Sequence, residues 1–103
     1  MRSPLAASLV VSFFACTISG TQADLRLICE RFTAWQQDPR FLALQPFEKQ
    51  EAIADFLANE VKTEGVREKL AIQKLPADVN RAYYSLAPKG YRCPAIDRSY
   101  PPD

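Results

Sequence analysis

The sequence predicts an all-α fold: a small bundle of three to four short helices with an extended C-terminal segment tied back by one disulfide. Three observations lead to this prediction. Apolar residues recur at intervals of three and four along most of the chain, which is the spacing of one helix face. Prolines stand near the beginnings and ends of these stretches, where helices start and stop. Cys29 and Cys93 lie near the two ends of the helical region, so a bond between them would join those ends.

The beginning of the chain has the three parts of a secretory signal peptide. Arg2 supplies the positive charge, residues 5–18 form an uncharged run, and a Thr-Gln-Ala sequence ends at Ala23. The run is shorter than the roughly 20 apolar residues that a membrane-spanning helix needs. We therefore predict that residues 1–23 are removed by cleavage before Asp24. A buried helix of the folded domain is the alternative interpretation.

The cysteines favour this cleavage over a second form of export. Cys16 follows a small residue, Ala15, so it could instead be the lipidated first residue of a membrane-tethered lipoprotein. The chain has three cysteines, and removal of the leader leaves two, Cys29 and Cys93. An even number in an oxidising compartment predicts a disulfide, although two free buried thiols are the alternative. We assign residues 24–94 to the domain and 95–103 to a flexible tail.

The first predicted helix begins at Asp24, whose charge suits a helix N-terminus, and ends before Pro39. The segment from Pro39 to Gln45 is either a short turn capped by Asp38 or an extended stretch, with its large apolar residues in the core. The apolar face of the first helix consists of Leu25, Ile28, Cys29, Phe32 and Trp35.

Two further helices are predicted between Pro46 and Lys74, with a break near Thr63, which can cap a new helix. One long kinked helix over the same range is the alternative. The fourth helix opens at Pro76 and stops at Pro88, and the chain beyond Cys93 is predicted to be extended. The predicted buried residues of these helices are Ile53, Phe56, Leu57, Val61, Val66, Leu70, Ile72, Val79, Ala82, Tyr83 and Leu86.

The composition argues against most catalytic chemistry. The chain contains no histidine, which is the commonest general base and metal ligand. Its three glycines are scattered, so no phosphate-binding loop is predicted. Without Arg2 the chain has twelve basic and twelve acidic residues, a balance unlike that of nucleic-acid-binding proteins. We predict no enzymatic activity, no cofactor and no metal site.

Two groups of residues are candidates for contact with a partner. Tyr84, Tyr91 and Arg92 lie close to Cys93 in sequence, and aromatic and arginine side chains dominate binding hot spots. The second group is an acidic stripe along the second long helix, for which a solvated helix face is the alternative interpretation. This stripe consists of Glu48, Glu51 and Asp55.

These features predict an exported protein of the periplasm or the extracellular space. We expect a non-catalytic domain that binds another protein in an inhibitor, immunity-type or chaperone-like role, with no nucleic-acid partner. The alternative is an accessory lipoprotein, anchored at Cys16, that assists an envelope complex. No membrane span is expected in the mature chain.

Overall fold

A computed structural model describes residues 20–103, and within this range the protein consists of helices and connections without a strand. Most of the predicted leader, including Cys16, lies outside the described residues. The all-α class is confirmed. The described residues form six helices, more than the three to four predicted, because two of the six are too short to give a clear periodic pattern. The helices are α1 Gly20–Trp35, α2 Pro39–Leu42, α3 Pro46–Glu60, α4 Glu64–Ala71, α5 Pro76–Ser85 and α6 Pro94–Ser99.

Helix α1 presents the predicted apolar face to the core, and Leu25 and Ile28 are each only 1% exposed. The Sγ atoms of Cys29 and Cys93 lie 2.12 Å apart, at disulfide distance, with their Cα atoms 6.0 Å apart. Cys93 is fully buried, and Cys29 packs against the core. The predicted pairing therefore brings the beginning of the bundle against its end.

Helix α2 is the short turn that the sequence left open as one of two alternatives. The carboxylate of Asp38 accepts a hydrogen bond from the backbone N–H of Arg40 at 2.9 Å, and Pro39 occupies the first turn, where a missing N–H costs nothing. Phe41 stacks on Trp35 with the ring centroids 4.6 Å apart. Leu42 was predicted to lie in the core, but its side chain is 52% exposed.

The chain between Pro46 and Ala71 forms two separate helices, α3 and α4, joined by extended residues from Val61 to Thr63. Thr63 occupies the cap position of α4 as predicted, but its side chain makes no capping hydrogen bond. The carboxylate of Asp24 accepts hydrogen bonds from the backbone N–H groups of Lys62 at 3.2 Å and Thr63 at 2.7 Å. Asp24 lies inside α1, and its side chain therefore joins this helix to the α3–α4 connection.

The prediction of an extended C-terminal segment is wrong for residues 94–99, which form α6. Pro94 opens this helix, and Ile96 is 1% exposed in the core. Asn80 of α5 donates hydrogen bonds to the carboxylate of Asp97 at 3.0 Å and to the carbonyl oxygen of Tyr100 at 2.9 Å. These contacts with distant residues stabilise a helix too short to form by itself.

The core lies where α1, α5 and α6 meet, with contributions from α3 and α4. Tyr83 is 1% exposed, which confirms its predicted core position, whereas Trp35 is only half-buried. No helix among the described residues is long and apolar enough to cross a bilayer. The buried apolar residues are Leu25, Ile28, Phe32, Phe56, Val61, Val66, Leu70, Ala82, Tyr83, Cys93, Ala95 and Ile96.

Acidification is expected to destabilise the fold through Asp24. Burial alone would raise the pKa of this carboxyl, but hydrogen bonds from Thr63 and Lys62 and the charge of Arg67 outweigh it and lower the pKa below 3.8. A carboxyl with a lowered folded-state pKa contributes stability above its unfolded pKa and loses that contribution as the pH falls through the folded value. The temperature of the thermal midpoint should therefore decrease as the pH is lowered below about 4.

The variant Asp24→Asn tests this expectation. We expect it to cost about 0.5–2 kcal/mol of unfolding free energy at pH 7, the range for a lost helix-capping side chain. The difference from the wild type should be smaller at pH 3 than at pH 7, because the stability of the wild type decreases as the pH falls below the unfolded-state pKa of about 3.9. Asp55→Asn, at an exposed position in α3, is the control. An Asp24→Asn deficit of the same size at both pH values would contradict the assignment.

Candidate functional site

The described part of the protein contains an apolar groove with a volume of about 640 Å³. Helix α3 forms one wall, and α4, α5 and their connection form the other. Side chains of α1 and α6 form the floor. The volume falls within the range of roughly 300–1,000 Å³ that is typical of ligand sites. The lining residues include Gln50, Ile53, Ala54, Leu57 and Ala58 of α3, and Leu70, Ala71, Pro76, Val79 and Tyr83 opposite.

The groove forms where part of the apolar face of α3 is not covered by the other helices. Phe56 is 3% exposed in the core, but Ile53 and Leu57 are only half-buried and line the groove. Next to them stand Ala54 and Ala58, whose side chains are too short to reach the opposite wall. The sequence predicted Ile53 and Leu57 as buried residues, and the structure shows both of them partly buried and packed against the core. Ile72, which was also predicted to be buried, is 70% exposed.

Exposed apolar side chains extend the surface beyond the groove. Phe47 is 67% exposed and precedes Gln50 by three positions, so the two share one side of α3. In the connection between α4 and α5, Ile72 and Leu75 are 70% and 63% exposed, next to lining residues on either side of them in sequence. Large apolar residues clustered beside a groove are typical of an interaction site.

The predicted acidic stripe lies outside the groove, on the adjoining side of α3. Glu51 and Asp55 are exposed and precede the lining residues Ala54 and Ala58 by three positions, one helical turn away. Neither carboxylate forms an ion pair with another described residue. Glu48 differs, because its carboxylate accepts a hydrogen bond from the backbone N–H of Gln45 at 2.8 Å in a capping box.

The second predicted group, Tyr84, Tyr91 and Arg92, forms a cluster around Cys93. The Tyr84 hydroxyl accepts a hydrogen bond from the Cys93 backbone N–H at 2.9 Å and donates one to the Cys93 carbonyl oxygen at 3.1 Å. The Arg92 guanidinium lies over the Tyr84 ring, 4.4 Å from its centroid. Burial raises the pKa of Tyr84. These contacts position the cysteine and leave the tyrosine hydroxyls engaged within the protein.

The predicted cleavage site lies in the first turns of α1. Ala23 is exposed and Asp24 is buried, with the carboxylate bonded to the α3–α4 connection. Signal peptidase reads small side chains before the cleaved bond, and Ala23 presents one. The Asp24 contacts would remain if the chain began at this residue, because they involve only its side chain.

The surface of the groove offers contacts mainly through shape and apolar side chains. Its lining is mostly aliphatic and aromatic, and its charged members are Arg67, Glu68 and Lys74. The Arg67 guanidinium donates hydrogen bonds to the carbonyl oxygens of Val61 at 2.7 Å and Lys62 at 3.2 Å. Among the described residues, no cluster of histidine, cysteine, aspartate or glutamate could hold a metal ion.

The groove is the feature that sequence reasoning missed. Helical periodicity identified Ile53, Leu57 and Val79 as inward-facing, but it could not show that part of their surface faces an open space. The available signal was the pair Ala54 and Ala58, one turn apart beside the large apolar residues. Two small residues at such positions leave room between neighbouring helices.

No protein-family model matches the chain, and no curated protein or solved structure is significantly similar to it.

Proposed function

We propose that this protein is a small exported domain without catalytic activity that binds another protein through the apolar groove between α3 and α5. The observation that carries the proposal is the groove itself, with about 640 Å³ of apolar space at the protein surface. Phe47, Ile72 and Leu75 continue this apolar surface at the rim. An inhibitor, an immunity-type protein or a chaperone-like protein would each use such a surface.

Export is part of the proposal and rests on two features. The first is the leader pattern of residues 1–23, which is typical of a signal peptide. The second is the Cys29–Cys93 pair at disulfide distance, since disulfides persist in oxidising compartments outside the cytosol. An accessory lipoprotein anchored at Cys16 is the second candidate, and the groove would serve it equally as a docking site.

Capture of a partner with a groove-blocked variant tests the proposal. Ala54→Trp should fill the groove without disturbing the core, because Ala54 is an exposed lining residue. We expect the wild-type domain to enrich a specific protein from the exported fraction of its host. Ala54→Trp should reduce that enrichment by about tenfold or more, the effect of losing roughly 1.4 kcal/mol of binding free energy.

Ala34→Trp is the matched control, since Ala34 is exposed on α1 and does not line the groove. It should capture the partner as well as the wild type does. Absence of any specific protein in the exported and envelope fractions would overturn the proposal. Equal loss of capture in both tryptophan variants would show that the groove is not the binding site.

A further inference from the structure

We propose that the groove receives an amphipathic α-helix of the partner, with aliphatic side chains in the groove and basic side chains along the acidic stripe of α3. This inference rests on the proposed function and specifies the chemistry of the bound segment. It combines the dimensions of the groove with the charge of its border.

The groove has the length of a helix-binding site. Its α3 wall runs from Gln50 to Ala58, which corresponds to about 12 Å along the helix axis. A bound helix presents anchoring side chains at positions i, i+3, i+4 and i+7, and these positions span about 10.5 Å. Three or four aliphatic anchors therefore match the length of the α3 wall.

The charge at the border favours a basic segment. Glu51 and Asp55 run along the outer side of α3 without an ion pair among the described residues, and Glu68 of α4 adds a third carboxylate at the lining. The lining also carries two cations, Arg67 and Lys74, and Arg67 donates hydrogen bonds to two backbone carbonyls. The acidic stripe on α3 is therefore the side of the groove that offers complementary charge to basic side chains, and this charge would orient the bound helix and speed its association.

The same charges disfavour other occupants of the groove. A fatty acid or an anionic lipid could pair its headgroup with Lys74 at the lining, but it would bring negative charge toward the carboxylates of Glu51 and Asp55 and leave them without a complementary charge. A second copy docked α3 against α3 would place two acidic stripes against each other. Like charges brought together at an interface cost binding free energy. A protein helix with lysine or arginine beside its apolar face meets neither penalty.

Synthetic peptides test the inference with a defined probe. One peptide of about 18 residues, long enough to form a helix, carries leucine at i, i+3, i+4 and i+7 and lysine along one flank. Matched peptides replace every lysine by glutamate or every leucine by serine. Titration calorimetry at low salt should show the lysine peptide binding at least about tenfold more tightly than the glutamate peptide. The serine peptide should not bind.

Charge reversal on the protein provides the second arm. Glu51→Lys combined with Asp55→Lys should reverse the preference between the lysine and glutamate peptides. Glu48 is left unchanged because it belongs to the capping box of α3. Glu30→Lys, at an exposed position on α1, is the control and should keep the wild-type preference. Circular dichroism of each variant verifies that the helices remain folded.

Several results would overturn the inference. These are no binding of the lysine peptide, equal binding of the lysine and glutamate peptides, tighter binding of decanoate or anionic vesicles than of the lysine peptide, and a stable dimer that Ala54→Trp dissociates. If the lysine peptide fails while the groove-dependent capture of a protein succeeds, the inference is wrong and the proposed function stands. If both fail, both are wrong.

Discussion

Replacing both bridging cysteines, Cys29→Ala together with Cys93→Ala, is expected to unfold the domain at 37 °C. A disulfide between these positions, 64 residues apart, restricts the unfolded chain and contributes about 4 kcal/mol in the chain-entropy model. A core of this size supplies only about 3–5 kcal/mol of net stability. Loss of the bridge therefore removes a contribution about as large as that of the core, and such a loss often abolishes the folding of a small disulfide-bonded domain at about 37 °C. Alanine is chosen because Cys93 is fully buried, where a serine hydroxyl would add a desolvation cost.

Circular dichroism and the thermal midpoint check this prediction. The wild type treated with a reductant should behave like the double variant, while the untreated wild type should melt cooperatively. Cys16→Ala is the control, since Cys16 belongs to the leader that we expect to be removed. An unchanged thermal midpoint after complete reduction would show that the helices are stable without the bridge.

Tyr83→Ala is expected to have the second largest effect on stability, about 3–5 kcal/mol. The side chain is 1% exposed, so its removal leaves a cavity among α1, α5 and α6, and large-to-alanine changes at aromatic core positions cost this much. The hydroxyl also donates a hydrogen bond to the carbonyl oxygen of Leu25 at 2.7 Å and lies 2.8 Å from the Tyr91 hydroxyl. The first bond joins α5 to α1, and the second joins α5 to the connection that follows it.

Tyr83→Phe separates the two contributions. It keeps the ring in the core and removes only the hydroxyl, so we expect a smaller loss of about 0.5–1.5 kcal/mol, the net value of a typical hydrogen bond. The Leu25 carbonyl oxygen keeps a second hydrogen bond, from the Tyr91 hydroxyl at 3.4 Å. Urea denaturation at neutral pH measures both variants. Tyr83 stays neutral under these conditions, because burial raises its pKa well above the usual value of 10.0. A Tyr83→Ala variant as stable as Tyr83→Phe would contradict the core role of the ring.

The predictions from sequence succeeded where the information is local. The apolar face of α1 follows from spacing alone, and the prolines Pro46 and Pro76 mark the first turns of α3 and α5 as predicted. The break between α3 and α4 also has a local signal in Thr63. The Cys29–Cys93 pairing was predictable because the predicted cleavage before Asp24 would leave no other intramolecular pair.

The predictions failed where a residue depends on a distant partner. Asp24 was predicted to act at the start of its own helix, but its carboxylate bonds backbone N–H groups 38 and 39 residues away. Helix α6 has six residues, too few for a periodic pattern, and it packs through Ile96 and the hydrogen bonds from Asn80. The periodicity of apolar residues along a helix cannot predict such contacts between residues that are far apart in the sequence.

Only the acidic residues at the border of the candidate site could be predicted from the sequence. The acidic residues Glu51 and Asp55 share a face of α3 by helical periodicity, which the sequence shows directly. Their position beside an apolar groove depends on how α4 and α5 pack against the rest of the bundle, and therefore on tertiary contacts. Tyr84 and Arg92 were predicted as partner contacts. The structure shows internal contacts of both near Cys93, while Arg92 remains exposed, so their contact with a partner stays a prediction.

Site-specific photo-crosslinking in the native host tests the central claim most directly, namely that the groove binds a protein. A photoreactive phenylalanine analogue replaces Ala54 in the groove or Ala34 on the outer side of α1. We predict a covalent adduct of defined protein mass from position 54 and none from position 34. No protein adduct from position 54, or the same adduct from both positions, would contradict the claim.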